Sequence, residues 1–336
     1  MTSAANRRIK KLSYAKYGYI FILPFFIVYF LFSLYPLIYT FMISTTRAES
    51  TKANAEMTYV GLQNFQDLLF ASTNRTANAL HESFVLSFGN TLLLWVCNFI
   101  PQIALSLLLA VWFTDNRFHI PGKGFFKVVM YLPNIITASS LAVMFLSLFG
   151  ETKYNPINML LLDWGWIQEP ILFITNATWH RGLVSFIQAW MWFGNTMILL
   201  MAAIMGINPS LFEAAQIDGA NGTQVFMKIT VPSIRPILVY TFITSMIGGL
   251  QMFDIPLLFN KGTTKDIYTK TLAMFIFERY SGQLKNYGIS AAASIILFIV
   301  TAILGAFVFY MNRDKEEIAE KKRRRREAKR LKGGGF

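Results

Sequence analysis

The sequence predicts an all-α, polytopic membrane protein with six transmembrane helices and both termini in the cytoplasm. Three observations predict it. Of 336 residues, 54% are hydrophobic and 15% charged, against roughly 25% charged in an ordinary soluble domain. Six stretches approach the roughly 20 apolar residues that a helix needs to cross a bilayer. The Lys and Arg residues are distributed unevenly between alternate connecting segments, as membrane orientation requires. The mean hydropathy is +0.43, and 31 Phe outnumber the 18 Asp and Glu. These figures exclude a disordered chain, a disulfide scaffold and a typical soluble enzyme. The single cysteine, Cys97, cannot form an intrachain disulfide.

The apolar stretches run over 17–43, 84–113, 125–149, 184–205, 237–259 and 287–311. The first follows Arg7, Arg8, Lys10, Lys11 and Lys16, as a signal peptide would. Its apolar run is far longer than a signal core, and no small-residue cleavage site follows, so it is expected to remain as the first span. With the N-terminus inside, the inner segments carry 21 of the 31 Lys and Arg, and the outer loops at 44–83, 150–183 and 260–286 carry the other 10. Both tails then lie inside, as an even number of spans requires. Domain organisation follows: a basic N-tail at 1–16, a transmembrane unit at 17–312, and a basic C-tail at 313–336. The run Lys321-Lys322-Arg323-Arg324-Arg325-Arg326 could bind RNA or anionic lipid. Positive-inside bias accounts for it as a topology anchor, and no nucleic-acid partner is expected.

The chain lacks the Gly-x-x-x-x-Gly-Lys-Ser/Thr phosphate loop, so it is not expected to bind ATP in that way. His81, His119 and His180 are placed in three separate loops with no metal-ligand spacing, so no metal site is expected. Matches to the Asn-x-Ser/Thr glycosylation triplet at Asn74, Asn176 and Asn221 carry no weight at that motif's frequency. The spans are nearly free of charge. Asp254, toward the outer end of span five, is the one acid inside an apolar stretch. This weakens the case for an ion-driven carrier, which needs buried ionisable chains, and for a strongly ionic cargo. The spans offer amides instead: Asn98 and Gln102, Gln188 and Asn195, and Gln251, interleaved with Trp190, Trp192, Phe193 and Phe253. Amides hydrogen-bond hydroxyls in either direction and rings stack on sugar faces, which suits a neutral, hydroxyl-rich solute. The alternative is amide bonding between helices, at about 0.6 kcal/mol each.

The inner segment at 206–236 has the strongest local pattern. Ser210-Leu-Phe-Glu213 has the spacing of a capping box, with Pro209 where a helix start tolerates it. Gly219 can take the left-handed conformation that ends a helix, and Asn221-Gly222 signals a turn before a second helical stretch over 223–230. Leu211, Phe212, Ala214, Ala215 and Ile217 give the first helix an apolar surface. Such a helix either fills a groove on a partner or lies against the membrane or its own bundle.

Glu213-Ala214-Ala215, Asp218-Gly219-Ala220 and the Ile229…Pro232 ending resemble the EAA loop of binding-protein-dependent ABC importer permeases. Leu23-Pro24-Phe25 through Tyr35-Pro36, Tyr59-Val-Gly-Leu-Gln-Asn-Phe65, Tyr131-Leu-Pro-Asn134 and Pro156-Ile-Asn158 resemble the maltose-type, F-class sugar branch of that family. The resemblance covers most of 15–312. It implies a non-catalytic subunit in a bacterial cytoplasmic membrane, paired with a second, G-class permease. It also implies an ATPase dimer that binds ATP and Mg, and an extracytoplasmic protein that delivers the sugar. No cofactor is expected in this chain itself. Carried over, Glu213 is the polar anchor of the helix that docks on the ATPase, Ala214 and Ala215 its close-packing surface and Gly219 its bend, with Asp218 also among the coupling residues. Phe193, Gly194, Asn195, Met197, Gln251 and Asp254 become the candidates for the cargo pathway. The expected activity is import of a sugar, taken to be an oligosaccharide, by alternating access. The loop alone leaves open a permease for a polyol, glycerol phosphate or peptide, and physics alone leaves open an ATP-independent carrier.

Overall fold

The structure, a computed structural model, describes residues 15–47, 57–115, 120–260, 267–282 and 285–311. The basic run at 321–326 and His119 lie outside the described residues, as does nearly all of both tails.

The fold is helical, with one short antiparallel hairpin. In chain order the helices are α1 (Ala15–Tyr29), α2 (Tyr35–Ser44), α3 (Gln63–Leu69), α4 (Arg75–Thr114), α5 (Lys123–Ile135), α6 (Ala138–Leu148), α7 (Pro156–Asp163), α8 (Ala177–Met205), α9 (Pro209–Ile217), α10 (Gly222–Val225), α11 (Val231–Ser233), α12 (Arg235–Leu250), α13 (Asp254–Phe259), α14 (Leu272–Ser281) and α15 (Tyr287–Met311). One-turn π segments at Phe30–Leu34 and Phe226–Thr230 join α1 to α2 and α10 to α11. β1 (Thr46–Arg47) pairs with β2 (Thr58–Tyr59).

Among the described residues, five helical stretches are long and apolar enough to cross a membrane: Tyr17–Ser44, Arg75–Thr114, Ala177–Met205, Arg235–Phe259 and Tyr287–Tyr310. The stretch expected as a third continuous span is instead two helices, α5 and α6, bent by 96°. Thr137 makes the break by capping α6, its hydroxyl accepting from Ser140 N at 3.3 Å. The fifth stretch is interrupted too, at Gln251–Phe253 between α12 and α13. Both stretches were expected to be continuous because apolar composition alone does not register a break. The second and fourth helices begin earlier than their apolar windows, because Asn74 and Asn176 cap them. Asn221 caps α10, so all three glycosylation-like triplets open helices, the asparagine oxygen taking a backbone N–H.

α4 and α8 form the centre. Gln102 Nε2 donates to Thr196 Oγ1 at 2.9 Å, and Ser106 Oγ donates to the Phe193 carbonyl at 2.7 Å. Three apolar clusters surround this pair. Leu141, Phe145, Ile187 and Ile255 pack in one, Phe84, Leu272, Phe275 and Ile289 in the second, and Leu109, Phe113, Leu200 and Ile234 in the third. Segments assigned to the outer side gather at one end. The Asn90 amide donates to the Ile267 and Lys270 carbonyls, and Arg181 donates to Asn90 Oδ1 and to the Tyr268 carbonyl. Segments assigned to the inner side gather at the other, where Asp115, Lys123, Lys127, Glu213 and Thr230 share one cavity.

The histidine placement needs correcting. His81 lies on α4, its Nδ1 2.8 Å from the Leu68 carbonyl, and His180 is buried on α8. Polar residues ahead of each apolar window hid these helical turns. Among the described residues no group of three His, Cys, Asp or Glu could hold a metal ion.

Candidate functional site

The bend between α5 and α6 and the break between α12 and α13 meet at one cavity of about 560 Å³. Its walls are α4, α8, α12 and the turn between α12 and α13, with Ala138 at the start of α6. On α8, Gln188, Trp192, Asn195 and Leu199 face it, at the i, i+4, i+7, i+11 spacing of one helical stripe. On α12 the stripe is Thr241, Thr244, Ser245 and Gly248. The break then presents Gln251, Phe253 and Asp254. An interruption here is permissible because freed backbone groups at membrane depth are tolerated where they line a cavity or find a partner. Met252 O finds one in the hydroxyl of Thr271, at 2.7 Å.

The polar lining divides into groups already engaged and groups that are not. Asn98 Nδ2 donates to Leu94 O within its own helix at 3.0 Å, and Gln102 is held by Thr196. Thr241 and Thr244 hydroxyls return to carbonyls one turn back, at 2.8 and 2.9 Å. Gln188, Asn195, Gln251 and Asp254 line the cavity, and among the described residues their side chains have no hydrogen-bond partner. Three neutral amides and one carboxylate are therefore presented to whatever fills the space, with Trp192 and Phe253 as ring surfaces.

Of the six pathway candidates from the sequence, the structure brings Asn195, Gln251 and Asp254 together here. Phe193 and Met197 point elsewhere, into the third apolar cluster. Gly194 is covered by α5: a Cβ there would lie 2.0 Å from the Met130 carbonyl oxygen. The reason is angular, since residues one or two apart on a helix diverge by about 100–200°. Sequence reading did not single out Thr241, Thr244 and Ser245, although their spacing of three and four residues on an apolar helix was available as a signal.

At the opposite end, α9 begins at Pro209, and its cap is Asn208 rather than Ser210. Asn208 Oδ1 accepts from Ser210 N at 3.1 Å. The residue before a proline is driven to extended backbone, and a proline belongs at the first helical position, so the cap falls two residues earlier than the capping-box spacing implied. The capping box forms instead between Asn221 and Gln224, at 2.8 and 2.9 Å. The second helical stretch, expected over 223–230, comprises α10 and the π segment. α9 ends at Gly219, with φ +74°, where Ala220 N bonds Ala215 O at 2.9 Å and Gly219 N bonds Gln216 O at 3.1 Å. These are the two bonds of a Schellman ending. Ser210, Glu213, Ala214 and Ile217 share one exposed face, with Ile217 87% exposed, and Asp218 is exposed at the end of the helix. Ala215 faces the other way and is buried, with Phe212 half-buried beside it.

The family model described as "binding-protein-dependent transport system inner membrane component" matches residues 76–316. The chain belongs to that family. As an inner membrane component it is a multi-pass membrane protein and a permease of an ABC transporter. Among curated relatives, the lactose transport system permease protein LacF of Rhizobium radiobacter is 27% identical over 316 residues, covering 94% of this chain and 100% of that one. The arabinooligosaccharides transport system permease protein AraP of Bacillus subtilis (strain 168) is 28% identical, covering 85% of each chain. A chain of a bacterial alginate ABC transporter, solved in complex with an alginate pentasaccharide-bound periplasmic protein, superposes with a TM-score of 0.74 at 24% identity. That match covers 89% of this inner membrane component and 94% of the solved chain, and it establishes the common fold.

Proposed function

We propose that this chain is the F-class permease subunit of an ATP-driven importer for a neutral oligosaccharide. The observation that carries the reading is the convergence of Gln188, Asn195 and Gln251, without protein partners among the described residues, on one cavity at the two helix breaks. Hydroxyl-rich cargo satisfies amide donors and acceptors alike, and Trp192 and Phe253 add stacking surfaces. Among the described residues no Lys or Arg lines the cavity and the one charged side chain there is acidic, so a neutral sugar fits it better than a glycerol phosphate or a uronate. The relatives named for lactose and arabinooligosaccharides support the sugar class.

Six spans with both tails inside, counting α5 and α6 as one broken span, put α9 in the cytoplasm. Its exposed face of Glu213, Ala214 and Ile217 then docks on a partner ATPase, and the Gly219 bend passes motion to α12. In this arrangement ATP and Mg belong to the ATPase dimer. A second permease completes the pathway, and an extracytoplasmic binding protein delivers the cargo. The cavity opens alternately to each side, and the cargo contributes only through different affinities for the two states.

The test is reconstitution of the complete complex in proteoliposomes, with lactose, maltotriose and arabinotriose as probes. Asn195→Ala and Gln251→Ala are expected to weaken cargo-stimulated ATP hydrolysis. Glu213→Ala is expected to uncouple hydrolysis from uptake while leaving membrane insertion intact. Uptake by this chain alone, without ATP, refutes the coupling, and wild-type indifference to every sugar refutes the cargo class.

A further inference from the structure

Gln251, Phe253 and Asp254 owe their position to a turn that is not helical, and something must hold that turn. α14, which follows the segment at 261–270, holds it at two points. At its N-cap, Thr271 is fully buried. Its hydroxyl donates to Met252 O at 2.7 Å, and the same oxygen accepts from Met274 N at 3.3 Å. One atom thus closes the first turn of α14 and fixes the carbonyl between two cavity-lining residues. Six residues on, the Phe277 ring meets Phe253 edge-on, with centroids 5.1 Å apart. α14 is itself tied to the centre, because Leu272 N donates to Thr91 Oγ1 at 2.8 Å on α4.

We propose that Thr271 is a positioning residue for the cargo site: its hydroxyl sets the backbone turn that aims Gln251, Phe253 and Asp254 into the cavity. It reaches no cargo itself, and acts through Met252 O. A buried carbonyl deprived of its donor turns in search of another, and the peptide planes on either side of it turn too. The three side chains then lose register with the cavity while its volume and the apolar clusters persist. The inference rests on the cavity's being the cargo site.

Thr271→Val keeps the shape and the two γ branches but removes the hydroxyl, and Thr271→Ser restores it. Both are assayed in the complete complex with its binding protein, using whichever of lactose, maltotriose and arabinotriose the wild type imports. The readout separates half-saturating cargo concentration from maximal rate. Val is expected to raise the half-saturating concentration about threefold to tenfold with the maximal rate retained, and Ser to return it to within twofold of wild type. A purely structural role would lower the number of active complexes, and so the maximal rate, without moving half-saturation. Unchanged half-saturation in the Val variant overturns the proposal, as does an equal rise in Val and Ser. Should the Val chain fail to assemble, Phe277→Leu decides. It leaves the hydroxyl bonds and loosens only the ring on Phe253, and half-saturation that does not rise refutes α14 as the support. A wild-type complex that imports none of the probes refutes the sugar reading instead, so the two failures are distinguishable.

Discussion

Replacing Gly194 by alanine tests why α5 and α8 approach so closely. A Cβ at 194 would stand 2.0 Å from Met130 O, 2.8 Å from Met130 C and 3.0 Å from Tyr131 Cα. All three atoms are backbone, so no rotamer change relieves the contact. Restoring an ordinary 3.4 Å separation from the oxygen requires the two helices to part by about 1.4 Å at this level. Such overpacking typically costs about 1–3 kcal/mol, and small residues at helix crossings in membranes are what permit close approach. The displacement reaches the cavity, because α5 leads into the 96° break beside Ala138, and Asn134 Nδ2 donates to Met191 O at only 3.3 Å. The purified complex carrying Gly194→Ala is expected to melt at a lower temperature and import more slowly. Gly182→Ala, on the same helix with nothing within 4 Å, serves as the control and is expected to be silent. If Gly194→Ala melts and transports like Gly182→Ala, the close-approach argument is wrong. If it weakens cargo binding without loss of stability, Gly194 belongs to the cargo pathway after all.

Gly219→Ala meets open space but must hold φ +74°, so it should cost about 1–2 kcal/mol by conformation alone. Gly219→Asn is expected to recover part of this, as read from uptake coupled to hydrolysis. Asn158→Leu leaves Gly150 O, Ile171 O and Ile171 N without the amide that joins them at 2.9–3.0 Å. At about 1–3 kcal/mol for each buried group left unpaired, limited proteolysis should cut the 150–171 loop faster than in wild type. Gly249→Ala drives a methyl to 2.1 Å from Trp95 Cδ1. It should displace the indole, measurable as a shift in tryptophan emission together with a lower melting temperature.

Length and hydropathy made the long helices legible, and the last span was read to the residue, from Tyr287 to Met311. Helix starts were less legible, since Asn74 and Asn176 extend α4 and α8 through polar turns that a hydropathy window discards. The breaks were harder still. Pro133 is tolerated inside α5, while the bend comes three to four residues past it at Ile136–Thr137, where Ile136 closes one helix and Thr137 caps the next. Between Leu250 and Asp254 no proline marks the interruption, and what permits it is a hydroxyl at 271 that lies distant in sequence. For the cavity, residue type pointed to the amides, but only the helical angle separates Asn195 from Phe193 and Met197. In α9, Gly219 was readable from its residue type, whereas the cap moved because Pro209 overrides Ser210.

The three asparagines that open α4, α8 and α10 also stand in the Asn-x-Ser/Thr triplet that a eukaryotic secretory pathway reads, whatever that triplet says of the native protein. On the proposed topology Asn74 and Asn176 would emerge into the lumen of such a host and Asn221 would not. A glycan on either exposed amide would occupy the nitrogen of the side chain whose oxygen caps the helix, crowding the first turn of a central helix. Production in a host that does not modify these triplets therefore protects the two longest helices of the bundle at their origin.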